Sequence, residues 1–158
     1  MPGEKKNIEI CIIIPYKTFT LSSIDISHPV TYVCIMQMKL ELVAVPVSDV
    51  DRAKAFYTEK IGFNADHDYR VSDTLRFVQL TPPGSACSIV IGEGITDMPP
   101  GSVKGLQMVV SDVNEARAEL IKRGAEVSEI EVMPWGSFIY FSDPDGNKWA
   151  IQAIPPRN

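Results

Sequence analysis

An internal repeat constrains the fold of this chain more than any other feature. The segment VPVSDVDRAKAFY (Val45 to Tyr57) resembles MVVSDVNEARAEL (Met108 to Leu120), and the two Ser-Asp-Val triplets lie 63 residues apart. Gly62 and Gly124 follow the two segments at nearly the same distance. A solenoid would need more copies, so the pattern predicts a duplication of one unit of about 60 residues.

Each unit opens with an apolar run and continues into a helix. The runs, Leu40 to Val47 and Leu106 to Val110, lack polar alternation, which predicts strands covered on both faces. The Ser-Asp pair after each run supplies good helix N-cap residues, and Asp51 follows Ser48 at the spacing of a capping box. Apolar residues then recur at helical spacing until the glycines, which suit helix C-termini.

Segments rich in β-forming residues follow each predicted helix, separated by Pro-Pro-Gly and Asp-Pro-Asp-Gly turns. Each unit therefore has the order β-α-β-β-β. We place module one at residues 39–92, a linker at 93–103 and module two at 104–153. The predicted strands after the helices are Asn64 to Val71, Leu75 to Thr81, Ser85 to Gly92, Val127 to Val132, Ser137 to Ser142 and Lys148 to Ala153.

Composition and charge exclude several classes of protein. The 158-residue chain is 45% hydrophobic and 22% charged, with a formal net charge of −5, so it lacks the basic surface that nucleic acid requires. No window is apolar for long enough to cross a bilayer. Three cysteines without a CxxC pair indicate neither a disulfide framework nor a zinc knuckle. We expect a cytoplasmic protein that binds neither nucleic acid nor membrane.

Residues 1–37 differ in pattern from the rest of the chain. Their apolar run, Ile10 to Ile14, is shorter than the core of a signal peptide and is followed at once by Pro15. We interpret residues 1–37 as a non-secretory N-terminal extension of a domain at 38–155. Two alternatives stay open for it: partial disorder, or translation that begins at Met38 in the cell.

The repeat resembles the vicinal oxygen chelate superfamily, which includes glyoxalase I, bleomycin-resistance proteins and extradiol dioxygenases. The motifs that carry the resemblance are ELVAVPVSDVDRAKAFYTEKIGF, GLQMVVSDVNEARAELIKRGAEV and FIYFSDPDGNKWAIQ, within residues 39–153. The resemblance implies an α+β fold with two tandem β-α-β-β-β modules, a curved mixed sheet around a cavity, and helices outside. It also implies a homodimer, since many members form one.

The resemblance implies a divalent metal held from the first and last strands of each module, but this chain departs from that pattern. The corresponding positions are Leu42, Gly105, Ala150 and Val90, or Ser88 if the register shifts by two. Leu, Gly, Ala and Val cannot coordinate a metal, and Ser is a poor ligand. We therefore predict no metal cofactor unless a non-standard site exists. This disfavours lactoylglutathione lyase and extradiol dioxygenase activity, which both need the metal.

Histidine offers no clear replacement for the missing ligands. His28 lies outside the resemblance, and His67 has Asp66 and Asp68 beside it. Adjacent strand residues face opposite ways, so the three side chains are not expected to bind one ion. An exposed strand-end histidine is the simpler interpretation of His67.

The strand period of two predicts which other side chains share the cavity with the vacant ligand positions. Carboxamides and a phenol would fix polar groups of a ligand, and aromatic rings would pack on its apolar part. Arg76 is a further candidate for this face. The predicted ligand-binding residues are Leu42, Ala44, Val90, Gly105, Gln107, Trp135, Phe138, Tyr140, Ala150 and Gln152.

Structural alternatives stay open for the larger of these side chains. Gln107 and Gln152 could instead be solvated at a cavity mouth or bonded to backbone. Phe138 and Tyr140 could be ordinary core residues. Trp135 could be a gate to the cavity or a packed strand residue.

The favoured function is metal-independent binding of a small molecule between the modules, as the resemblance to bleomycin-resistance proteins implies. Two alternatives stay open. One is an enzyme of the glyoxalase/dioxygenase group, a lyase or an oxidoreductase with a non-standard metal site. The other is a structural or regulatory subunit whose cavity is filled. The identity of the ligand does not follow from the sequence, and no catalytic residue is assigned.

Overall fold

The computed structural model describes residues 37–155, and from Met38 onward they belong to one compact unit. The predicted extension thus lies outside the described residues, apart from Gln37, and stays a prediction. The elements are β1 (Leu42–Ala44), α1 (Val50–Ala55) continued by a π-helical segment (Phe56–Ile61), β2 (Asn64–Ser72), β3 (Leu75–Thr81), β4 (Ser88–Ile91), β5 (Leu106–Val110), α2 (Val113–Lys122), β6 (Glu131–Met133), β7 (Gly136–Ser142) and β8 (Lys148–Ala153).

The two modules have the same topology. The strand order is β1-β4-β3-β2 in the first sheet and β5-β8-β7-β6 in the second. In each sheet the first strand pairs in parallel with the last, and the other pairs are antiparallel. This confirms the duplicated β-α-β-β-β unit and the α+β fold. Among residues 37–155 no hydrogen-bonded strand pair joins the two sheets, so they form two four-stranded mixed sheets.

The predicted aspartates do cap the helices. Asp49 accepts a hydrogen bond from the Arg52 amide, and Asp112 accepts bonds from the amides of Asn114 and Glu115. Such bonds satisfy backbone donors that have no partner within the helix. Gly62 ends the first helical segment in the left-handed region, with φ of +90°, as the sequence indicated.

The predicted capping box at Ser48 is wrong. Its hydroxyl bonds the Asp145 carboxylate in the other module, while Asp51 pairs with Arg76. The π-helical turn after Ala55 was also not predicted. A π-helix adds only one residue to a helical turn, and over so short a segment this changes the spacing of apolar residues too little to be detected in the sequence.

Several strands are shorter than predicted, for different local reasons. β1 ends before Pro46, which cannot donate to a ladder. The turn before β4 extends to Cys87, whose amide and carbonyl both bond the Ser85 hydroxyl. β6 begins only at Glu131, because the Ser128 carbonyl accepts from the Arg117 side chain of α2.

The two modules share one core, formed on the helix-covered faces of both sheets. α1 contacts β4 of the first sheet, and α2 contacts β7 and β8 of the second. From the π-helical segment, Tyr57 packs against Trp149, and Phe56 packs against Phe141. The helical segment of module one therefore lies against strands of both modules. The opposite faces of the two sheets point away from this shared core.

Candidate ligand-binding faces

We call the sheet surfaces that point away from the helices the helix-free faces. The strand registers define their residues, since directly paired residues point to the same side. The first face carries Leu42, Ala44, Phe77, Gln79, Thr81, Ser88 and Val90. The second face carries Gln107, Val109, Phe138, Tyr140, Ala150 and Gln152.

The first helix-free face brings together the predicted residues of module one. Leu42 pairs with Ser88, and Ala44 pairs with Val90. The two residues considered for the vacant metal-ligand position of β4, Val90 and Ser88, therefore both lie on this face, in neighbouring cross-strand pairs. Ser88 and Val90 are both buried.

The second helix-free face holds most of the predicted residues of module two. Gln107 pairs with Ala150, which pairs on its other side with Tyr140. Gln152 pairs with Phe138 in the same way. Gly105 precedes β5 with φ of +88°, so it lies outside the ladder in a conformation that L side chains rarely adopt.

The residues at the implied metal positions do not fit a divalent metal. Of these positions, Leu42 pairs with Ser88, Val90 pairs with Ala44, Ala150 pairs with Gln107, and Gly105 lies before β5. None of the implied positions supplies a carboxylate or an imidazole. Divalent cations of this family's kind need several such donors converging on one point. Nowhere in residues 37–155 do three His, Cys, Asp or Glu side chains cluster closely enough to hold an ion.

A chain of hydrogen bonds fixes the carboxamides of the second face. Gln107 Nε2 donates to Gln152 Oε1 at 2.6 Å, and Gln152 Nε2 donates to the Trp135 carbonyl at 2.8 Å. Gln152 is 7% exposed, whereas Gln107 is exposed. Both polar ends of Gln152 are thus used within the protein, so it positions Gln107 while Gln107 meets solvent.

Trp135 is neither a packed strand residue nor a member of the sheet. It lies in the β6–β7 turn with 61% of its surface exposed, and only its backbone carbonyl joins the bonding chain. Its predicted role as a gate stays a prediction.

The two aromatic side chains of the second face lie next to each other. The Phe138 and Tyr140 rings lie in nearly parallel planes, 7° apart, with centroids 6.3 Å apart. Phe138 is buried and Tyr140 is 38% exposed. Partial removal from water and the nearby Glu131 carboxylate raise the pKa of the Tyr140 hydroxyl. The phenol therefore stays protonated at neutral pH and is available for hydrogen bonding.

The first face carries a second bonding chain that sequence reasoning missed. Gln79 Nε2 donates to Ser88 Oγ at 3.1 Å, and Ser88 Oγ lies 2.6 Å from Thr81 Oγ1. The Thr81 hydroxyl in turn donates to the Asp66 carboxylate. The alternation within β3 places Gln79 and Thr81 on one side, but linking them to Ser88 and Asp66 required the register of three strands.

The prediction that Arg76 belongs to the ligand-binding face is wrong. Its guanidinium lies on the helix side, where it bonds Asp68 at 3.0 Å and Asp51 of α1 at 2.8 Å. Arg76 pairs with Arg70 of β2. It precedes Phe77 in β3, so its side chain points to the opposite side from the helix-free face. An arginine at the sheet margin can reach the charged start of a helix, and two opposite charges on that side hold it there.

His67 lies on β2, opposite Gln79, and stacks on Tyr69 with ring centroids 5.5 Å apart. Asp68 points to the other side, where Lys54 and Arg76 bind it. Asp66 bonds Thr81. The three neighbours thus use their side chains separately, although the bulge between Ala65 and His67 interrupts the strand period at Asp66.

A groove of about 490 Å³ lies apart from the centres of both faces. Its walls come from the end of the π-helical segment, the Pro82-Pro83-Gly84 turn, the edge of β5 and α2. Of the predicted ligand-binding residues only Gln107 borders it. The groove is mainly apolar, with Glu119 and Arg123 paired on its rim at 2.8 Å.

Comparison of this chain with known protein families identifies the class of protein to which this fold belongs. The family model of the Glyoxalase/Bleomycin resistance protein/Dioxygenase superfamily matches residues 39–151. The chain therefore belongs to this superfamily, as the repeat and turn motifs indicated.

Solved structures and a curated relative are similar to most of this chain. TnmS3, an antibiotic binding protein from Streptomyces sp. CB03234, is 36% identical, with a TM-score of 0.69 over 78% of this chain and all of that chain. A glyoxalase/bleomycin resistance protein from the same organism is 38% identical, with a TM-score of 0.64 over 72% of this chain and 99% of its own. YetH of Bacillus subtilis (strain 168) is 31% identical over 125 residues, 74% of this chain and 99% of YetH.

Within the described part of the chain, no helix has the length and apolar character needed to cross a membrane.

Proposed function

We propose that this protein binds a small, ring-bearing molecule on its helix-free faces and needs no metal to do so. The observation that carries the proposal is the composition of the second face. The position beside Gln107 that would hold a metal ligand is Ala150, and next to it lie the parallel rings of Phe138 and Tyr140. A small residue flanked by aromatic rings and a carboxamide suits an apolar ring with a polar substituent.

We further propose that the binding site is completed in a homodimer. Within one chain the helix-free faces point away from the shared core, so each face alone is only one wall of a cavity. β1 and β5 are edge strands with one partner each among the described residues. Val109 of β5 is 59% exposed, an apolar side chain on an open sheet edge. A second copy would cover this edge and bring a second wall to each face.

Similarity to TnmS3 supports the class of ligand. That protein is described as an antibiotic binding protein, and at 36% identity its match covers 78% of this chain. A cytoplasmic protein that sequesters a drug-like molecule is therefore the function that best accounts for the site. Nucleic acid is not a proposed partner, because the net charge is −5.

Filling the vacant position tests this proposal. In Ala150→Phe the new ring would occupy the space between Gln107 and Tyr140, so we expect affinity for a naphthalene probe to fall at least about tenfold. Isothermal titration with 2-naphthol measures this. The matched control is Ala118→Phe, at an exposed position of α2, which should bind as the wild type does.

Equal affinity in Ala150→Phe and the wild type would show that the probe binds elsewhere. No binding to the wild-type protein would contradict the proposal and favour a subunit whose cavity is filled.

A further inference from the structure

The apolar groove beside α2 is a cavity that the proposed function does not use. It lies apart from the centres of both helix-free faces, and its volume of about 490 Å³ is within the range of small-molecule sites. Three buried side chains, Phe63, Leu120 and Ile151, line it from three different parts of the chain. Elements of both modules therefore form its walls, and the groove is already present in the folded chain.

Arg123 brings a positive charge to the rim of this groove. Its Nε donates to Glu119 Oε1 at 2.8 Å, whereas Nη1 and Nη2 bond no group within residues 37–155. The guanidinium lies over Gly62, where a Cβ would come within 2.6 Å of Nη1, so the lack of a side chain there makes room for it. Each terminal nitrogen keeps two N–H groups. Together they form the planar fork that binds a carboxylate through two parallel hydrogen bonds.

The charge balance at this rim is positive. Among the described residues that line the groove, Glu119 is the one acidic side chain, and it lies 2.8 Å from Arg123 and 3.7 Å from Lys122 Nζ. One carboxylate thus faces two cations, although the formal net charge of the whole protein is −5. A ligand carboxylate would balance the second cation, while its hydrocarbon part would cover the apolar walls.

We infer that the groove is a second binding site, for an amphipathic anion such as an alkyl carboxylate. The hydrocarbon chain lies against the Pro82-Pro83-Gly84 turn and α2, and the carboxylate binds the free terminal nitrogens of Arg123. This inference goes beyond the proposed function and does not depend on it. Of the residues assigned to the proposed ring site, only Gln107 borders the groove.

Isothermal titration of the full-length protein with three ten-carbon compounds tests the inference. Decanoate, decan-1-ol and decylammonium share one chain and carry an anionic, a neutral and a cationic head group. We expect decanoate to bind at least about threefold more tightly than decan-1-ol, because a charge-assisted pair at a partly exposed site contributes modestly. Decylammonium should bind most weakly, since its charge is repelled by Arg123.

Arg123→Gln should abolish the preference for decanoate and leave the affinity for decan-1-ol unchanged. The matched control is Arg70→Gln, because Arg70 also pairs with a glutamate, Glu93, but does not border the groove. This control should keep the preference for decanoate.

Filling the groove tests the apolar half of the site. Ala116 of α2 lines the groove, so in Ala116→Phe we expect the affinities for decanoate and decan-1-ol to fall together by at least about tenfold. Ala118→Phe, at an exposed position of the same helix, should bind both compounds as the wild type does.

Several results would overturn the inference. One is equal affinity for the three compounds, and another is a preference for decanoate that persists in Arg123→Gln. A third is loss of decanoate binding in Ala150→Phe, which would place the compound on the second helix-free face instead. The proposed function is tested separately by 2-naphthol and survives each of these results.

A second copy of the chain is the competing occupant, because β5 borders the groove as well. Absence of decanoate binding to the wild type would overturn the inference. If light scattering then gave Arg123→Gln a lower mass than the wild type, the groove would be a contact between copies of the chain.

Discussion

The Tyr57 hydroxyl donates a 2.9 Å hydrogen bond to Oδ2 of Asp143, although the two residues lie 86 positions apart in different modules. The same hydroxyl accepts a bond from Trp149 Nε1 at 3.1 Å. Burial and the Asp143 carboxylate raise the pKa of Tyr57, so the phenol keeps its proton. The Asp-Pro-Asp-Gly turn of module two is thereby held against the helical segment of module one.

Tyr57→Phe tests this connection between the modules. The substitution leaves the buried Trp149 Nε1 without its acceptor and Asp143 Oδ2 with only the Asn147 side chain as a partner. We expect the free energy of unfolding to fall by about 1–3 kcal/mol, as measured by urea denaturation. Tyr69→Phe is the matched control on exposed β2, and it should change stability by less than about 0.5 kcal/mol. Equal effects of the two variants would contradict the account.

The lowered pKa of Asp68 leads us to predict that the stability of the protein depends on pH. Hydrogen bonds from Arg76 and Lys54 hold the pKa of Asp68 well below its usual range. Such a depressed pKa stabilises the folded state at pH values above the unfolded pKa, about 3.9. That stabilisation is lost as the pH falls toward the folded value.

The measurement is the stability difference between wild type and Asp68→Asn at pH 7 and at pH 3. We expect wild type to be more stable at pH 7, and its advantage to shrink by about 1 kcal/mol or less at pH 3, since water screens this pair in part. Asp97→Asn, at an exposed position without an ion-pair partner among the described residues, should show no such change. An advantage that grows toward pH 3 would reverse the sign and refute the account.

Val109→Glu tests the proposed homodimer. The side chain is exposed on the edge strand β5, where a carboxylate from each copy would be buried by pairing. Light scattering after size exclusion should give wild type a mass of twice the chain's 17.5 kDa and the variant a mass of one chain. Val132→Glu, on the outer strand β6 of the same sheet, is the matched control and should remain dimeric. A monomeric wild type would contradict the proposed homodimer, and each helix-free face would then have to bind ligand without a second copy of the chain.

The fold could be predicted because its signals are local and repeated. Each Ser-Asp-Val triplet places an aspartate at a helix start, and the glycines after the helices take left-handed conformations that other residues avoid. β3 and β8 have the predicted bounds because β-forming residues fill them without interruption. The strand period of two then placed Phe138, Tyr140 and Gln152 on one face correctly.

The bonding chains could not be predicted because they depend on cross-strand register. Ser88, Thr81 and Asp66 come from three strands, and only the bulge in β2 between Ala65 and His67 brings the Asp66 carboxylate to Thr81. The position of Arg76 was missed for the same reason, since its partners Asp51 and Asp68 lie in other elements. Ser48 has the local pattern of a capping residue, but a tertiary partner, Asp145, takes its hydroxyl.

The central claim is that the helix-free faces bind a ring-bearing molecule without a metal. The most direct test is isothermal titration of 2-naphthol into the EDTA-treated full-length protein, repeated after addition of nickel, zinc, manganese or ferrous iron. The account predicts saturable binding in EDTA, an affinity unchanged by each metal, and less than about a tenth of an equivalent of metal retained per chain, because the residues at the implied metal positions supply no strong ligand. Binding that appears only with a metal, together with close to one equivalent retained, would contradict it.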